Sequence, residues 1–182
     1  MARNTISRAM HDVGLAVWFG GTLANAVALN TAAAEAGGAS SAGRVANAGW
    51  DRWTPVNAVA IGAHIVGGLG LVGGNKERLQ AQQGVASMAV AKTALTAAAL
   101  GATAYSRLLG KKISQHHDIP VESGTQPTVS TPSDAARAQK QLAILQWAVP
   151  ALTGALVVVS SFAGEQQRAG EVRKGLAARI MG

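Results

Sequence analysis

The chain has 182 residues, and alanine and glycine make up about a third of it. Charged residues are 14%, well under the roughly 25% of an ordinary soluble domain. There is no cysteine, which excludes disulfides, thiolate metal sites, iron–sulfur clusters and cysteine nucleophiles. No phosphate-binding glycine loop, dinucleotide fingerprint, zinc-protease helix or nucleophile elbow occurs, so no catalytic residue, bound cofactor or metal is expected. The chain reads as non-enzymatic.

The charges are unevenly placed, and the gaps between them locate the elements. Residues 13–34, 53–75 and 141–164 contain no Asp, Glu, Lys or Arg, and residues 79–106 hold only Lys92. A bilayer core needs about 20 mainly apolar residues per helix. The expected fold is all-α, a four-span antiparallel transmembrane helix bundle with spans near 12–34, 54–74, 87–107 and 141–163. The modest mean hydropathy of +0.19 follows from alanine, which is near neutral in transfer yet the best helix former. A soluble alanine-rich bundle is the competing reading, but soluble helices carry charge about every turn on their wet face.

The first element carries Arg3 and Arg8 before its apolar run and small residues at Thr31–Ala34. That pattern also fits a signal peptide. The length of the run and its Trp18, Asn25 and Asn30 favour an uncleaved first span. Gly20, Ala24, Ala28 and Ala32 form a small-residue ladder at spacing four, expected to pack against another span of the same chain, with oligomerisation as the alternative. A second stripe places His11, Trp18 and Asn25 seven residues apart. Asp12 and Glu35 are the only acids near the spans, so no buried carboxylate pair is available for acid–base catalysis.

The second element is preceded by Trp50 and Trp53 and opens with Pro55, which in a first turn loses no hydrogen bond. It carries Asn57 and His64 at spacing seven, and Gly70 and Gly74 at spacing four. The third reads KTALTAAALGATAY and aligns Lys92, Thr96, Ala99, Thr103 and Ser106, ending at Tyr105. It would insert poorly alone. An ionisable group within a span is a functional candidate by default. An Asp12–Lys92 ion pair is expected, against a Lys92 that snorkels to the headgroups.

Residues 113–131 are rich in Pro, Ser, Thr and Gln and are expected to be a disordered loop. Its His116, His117 and Asp118 could hold a divalent metal, though adjacent histidines in a loop usually do nothing. Thr131-Pro132-Ser133-Asp134 is a helix-start signal, so the fourth helix should begin near Pro132. It aligns Gln146, Pro150, Thr153, Val157 and Ser160, and residues 164–182 form a basic helical tail. Each helix thus has one polar-tinged face, and these faces should meet inside the bundle.

The candidate functional or buried polar positions are Lys92, His64, His11, Asp12, Asn57 and Asn25. Two intramembrane histidines suggest bis-histidine haem ligation. Measured along the expected spans, however, His11 and His64 lie about ten residues apart in depth, roughly 15 Å at 1.5 Å per residue. Lys and Arg divide almost equally between the two sides. The short loops and termini place both ends inside, in the cell membrane. The partners expected are the lipid bilayer and either further copies of the chain or a larger membrane complex, with no nucleic acid.

Trp18, Gly20 and Gly21 within HDVGLAVWFGGTLANAVALN resemble the opening of small copper-resistance-D-like and DUF4149-like membrane proteins. With WTPVNAVAIGAHIVGG, most of the chain resembles alanine-rich four-span membrane proteins of actinobacteria such as mycobacteria, a resemblance that implies no activity. Copper handling would want methionine and histidine clusters. Of Met1, Met10, Met88 and Met181, only Met88 lies near a span and away from the termini, so copper is not carried over. The function expected is an accessory or scaffold subunit or an oligomeric bundle. The alternatives are a small transporter or ion-translocating protein using Lys92, His64 and His11, and a haem- or metal-binding membrane protein.

Overall fold

The computed structural model describes residues 4–74, 85–115 and 119–165. Four long helices dominate them: α1, Thr5–Ala34; α2, Ala39–Gly74; α3, Val85–Ser114; and α4, Ser133–Glu165. Helices α1, α2 and α4 are long and apolar enough to cross a membrane, and α3 is less apolar. Their outward faces carry Val13, Val59, Leu69, Ile144 and Val158, all exposed. The proposed metal group His116-His117-Asp118 and the basic tail beyond Glu165 lie outside the described residues.

Helix α1 is α-helical to Ala24, makes a π turn over Asn25–Leu29, and is α-helical again over Asn30–Ala34. Its inward residues Thr22, Ala26 and Asn30 follow one another in steps of four. Steps of four drift off one face of a 3.6-residue helix, and the wider π turn absorbs that drift. Asn30 is therefore buried, while Asn25 is only half-buried. Gly37, at φ 76°, closes the tight link to α2 in a conformation that a side chain would strain.

Helix α2 begins fifteen residues before the expected span, because the alanine-rich stretch from Ala39 continues the helix through Arg44, Asp51 and Arg52. Pro55 consequently sits inside the helix rather than in its first turn. Its ring leaves the Asp51 carbonyl without an intrahelical donor. Pro150 does the same to the Gln146 carbonyl in α4.

Helices α1 and α2 pack closely along most of their length, as do α3 and α4, and α1 also meets α4. Helices α2 and α3 scarcely touch, which leaves a cleft between them. The α1–α2 contact is set by glycine. A Cβ at Gly14 would fall on the backbone of Ala60 and His64, and one at Gly67 on the backbone of Ser7 and His11. Gly70 and Gly74 likewise face Ser7 and Asn4. The ladder expected to pack within the chain does not: Gly20, Ala24, Ala28 and Ala32 are all exposed. A charge gap identifies a span but carries no phase, and the face that packs is the one holding His11, Gly14 and Trp18.

The connection between α3 and α4 is folded over residues 119–132, contrary to the disorder that its composition suggests. Val121 pairs with Pro127, Glu122 N–H donates to Gln126 O at 2.9 Å, and Thr131 Oγ1 donates to Pro120 O at 2.6 Å. The same Ser and Thr hydroxyls that read as loop chemistry here satisfy the loop's own backbone. Val121 is 1% exposed and stands over Gly43 of α2, and its N–H donates to Ala39 O at 3.3 Å. The loop thus caps the end of the bundle where α1 turns into α2. Below it, Leu109, Ile113 and Ala138 form a small core between α3 and α4.

Replacing Gly67 by Ala should destabilise the protein by about 1–3 kcal/mol, because backbone rather than a movable side chain opposes the new methyl. Gly62→Ala is the control. Its Cβ meets nothing within 4 Å, so the substitution should gain up to about 1 kcal/mol from helix propensity. Thermal unfolding of both variants in mild detergent checks the pair.

Candidate functional site

The sequence repeats itself across the α1–α2 contact: His11-Asp-Val-Gly14 on α1 and His64-Ile-Val-Gly67 on α2. Because the helices run antiparallel, each histidine lies against the other motif's glycine. The backbones approach at both glycines and bring the rings together, with centroids 4.3 Å apart and planes inclined by 41°. The depth mismatch expected between His11 and His64 is absent. Both lie toward the same end of the bundle, because α1 begins seven residues before the start expected for its span and the contact fixes the register. Rings stacked side by side at this distance leave no space for a porphyrin plane between them. In this arrangement it is packing, and not depth, that stands against both rings flanking one iron.

The partners of each ring set its tautomer. His64 Nδ1 lies 3.1 Å from the His11 carbonyl oxygen, which can only accept, so Nδ1 carries the proton. Nε2 of the neutral ring then faces Thr96 Oγ1 of α3 at 3.5 Å as an acceptor. His11 Nδ1 lies 2.9 Å from Asp12 Oδ1. Trp18, fully buried, presents an edge to His64 at 6.1 Å and donates from Nε1 to Thr103 Oγ1 at 3.2 Å. The polar stripes of α1, α2 and α3 therefore meet in the interior.

His11, Asp12, His64 and Thr96 border a cavity of about 740 Å³ at the end of the bundle away from the α3–α4 loop. Arg8, His11 and Asp12 come from α1, His64 from α2, Lys92 and Thr96 from α3, and Ser160 from α4. The expected Asp12–Lys92 ion pair does not form. His11 turns inward, Asp12 turns outward, and the carboxylate reaches back to its neighbour's imidazole. Among the described residues Lys92 has no carboxylate within ion-pair distance. Ser160 Oγ is buried without a hydrogen-bond partner. No group of three or more His, Cys, Asp or Glu fit to hold a metal occurs among the described residues. Chemically, the cavity offers the Lys92 ammonium, the Arg8 guanidinium, two adjacent imidazoles and hydroxyls, with the Asp12 carboxylate engaged by His11, a donor-rich lining suited to an anion or a proton in transit.

A smaller cavity of about 300 Å³ lies further along the same cleft, and Leu100 borders both. Of the expected positions, Asn57 lines this second cavity. Asn25 lines neither.

Asn30 is the buried polar residue that pattern reading passed over. Its Oδ1 accepts from Trp50 Nε1 at 3.1 Å and its Nδ2 donates to Gln146 Oε1 at 2.8 Å. Gln146 Nε2 in turn lies 3.5 Å from Thr125 Oγ1, so one amide chain joins α2, α1, α4 and the loop. The only advance signal was an asparagine in an apolar span, and the π turn decides which of two asparagines faces inward.

Since no carboxylate lies within ion-pair distance of Lys92 among the described residues, Lys92→Met should leave stability within about 0.5 kcal/mol of the parent. A midpoint lowered by several degrees in detergent would restore a structural ion pair. No family model, curated protein or solved structure matches the chain.

Proposed function

We propose that the chain is a four-span protein of the cell membrane, with both termini on the cytoplasmic side, that moves a small anion across the bilayer. Lys92, His64 and His11 form its binding station. One observation carries this reading: three helices bring these three side chains to one cavity, where Asp12 is the single acidic side chain on the wall and lies beyond ion-pair distance of Lys92. In apolar surroundings an unpaired ammonium is unfavourable, and an entering anion relieves that cost. The hydroxyls of Thr96 and Ser160 supply further contacts.

The four-span topology is supported by the packing of the α3–α4 loop on the α1–α2 turn. With α1, α2 and α4 as spans, α2 returns the chain to the side where α1 began. Helix α4 starts beside the opposite turn, so α3 must cross between them.

The topology is tested by single cysteines in this cysteine-free chain. Gly38→Cys and Ser130→Cys should both react with a membrane-impermeant thiol reagent from the same face. Labelling from opposite faces would reduce the count to three spans. For transport, purified protein in liposomes should release chloride faster than empty vesicles, and Lys92→Met should slow the release at least about tenfold. Release no faster than from empty vesicles would end the transport reading.

A second reading rests on the exposed ladder Gly20, Ala24, Ala28 and Ala32. Such a surface admits the close approach of another helix, as in an accessory subunit or an oligomer. Native mass spectrometry from mild detergent separates the two, because a subunit carries the mass of another polypeptide and an oligomer a whole number of 18.4 kDa chains.

A further inference from the structure

Among the described residues, five buried side-chain polar atoms lack a hydrogen-bond partner, and three of them belong to residues that line the 300 Å³ cavity: Trp53 Nε1, Asn57 Oδ1 and Arg107 Nε. Asn57 is only 8% exposed. A buried amide oxygen left unpaired costs about 1–3 kcal/mol. Here an unpaired acceptor and two unpaired donors border one space. The Arg107 side chain is itself anchored, with Nη2 2.8 Å from Asp51 Oδ1. The remaining walls are largely aliphatic, with Ile61 and Leu100 among them.

We infer that this cavity is a binding site for a small apolar molecule bearing an uncharged hydroxyl group. The hydroxyl donates to Asn57 Oδ1 and accepts from Trp53 Nε1, so one group satisfies both orphans. An aromatic or branched aliphatic body fills the rest. A cavity of about 150 Å³ lined by aliphatic side chains takes up benzene, so twice that volume fits a monocyclic or bicyclic alcohol or phenol. Water alone would satisfy the polar atoms but would wet the apolar walls. Charged ligands are disfavoured, because the Arg107 guanidinium is already neutralised by Asp51. The inference is independent of the anion reading, which concerns the cavity at the other end of the cleft.

Trp50 and Trp53 line the site, so bromine brought into it should quench their fluorescence. The experiment titrates the full-length protein in detergent with 4-bromophenol and, separately, with bromobenzene, which matches it in shape and lacks the hydroxyl. Saturable quenching by 4-bromophenol is expected, with bromobenzene at least about tenfold weaker. Asn57→Leu, which keeps the volume and removes the acceptor, should weaken 4-bromophenol about tenfold. Gly110→Leu should abolish saturation while preserving the fold, since Gly110 borders the cavity and a Cβ there meets nothing within 4 Å. Equal quenching by both probes, or quenching unchanged in both variants, overturns the inference and leaves a hydrated void. Competition by dioleoylglycerol separates the sources of the hydroxyl: displacement of 4-bromophenol assigns a neutral lipid, and no displacement assigns a free small molecule.

Discussion

The contact that everything else depends on is the backbone approach of α1 to α2 at Gly14 and Gly67. Glycine at both places removes the side chains that would hold the helices apart. What fills the flanking positions is then forced: each histidine has a bare backbone opposite it and a second ring beside it. The His64 N–H reaches a main-chain carbonyl of α1 only because the axes are this close. In lipid, where water cannot satisfy polar groups, such interhelical bonds and close packing are what hold spans together. Trp18 next to this pair completes the interior at the level where α3 comes in through Thr96 and Thr103.

The two ends of the bundle solve different problems. At the loop end, many polar side chains find one another: Trp50, Asn30, Gln146 and Thr125 form a chain, Tyr105 donates to Gln141 at 3.0 Å, and Arg107 pairs with Asp51, while Trp53 Nε1, Asn57 Oδ1 and Arg107 Nε face the smaller cavity unpaired. At the histidine end His11 pairs with Asp12 and His64 with the His11 carbonyl and Thr96, while Lys92 and Ser160 border open space. A satisfied network rigidifies, and an unsatisfied one in a cavity is a site for something else.

Much of this fold could be read from the charge gaps, because the membrane penalises ionised groups strongly enough to leave a pattern. Helix α4 begins where Thr131-Pro132-Ser133-Asp134 signals it, and the polar faces meet inside. Phase and register were harder to read. The ladder from Gly20 to Ala32 and the stripe through His11 and Trp18 are equally regular, and only the partner helix decides between them. The π turn exchanged Asn25 for Asn30. Arg44, Asp51 and Arg52 suggested a loop, yet alanine carried α2 straight through them. Depth counted from an assumed span start separated two histidines that the glycines bring into contact. The Ser/Thr-rich loop was misjudged because its hydroxyls serve disorder and local order equally well.

The scarcity of contact between α2 and α3 gives the molecule the mechanics of an open book. The α1–α4 seam is its spine, α1–α2 and α3–α4 are its covers, and both cavities lie between the pages. A rotation of one cover about that spine changes both volumes together and in the same direction. Among the described residues, His64 to Thr96 ties the fore-edge near one end and Arg107 to Asp51 near the other. Any such opening must break or lengthen those two ties.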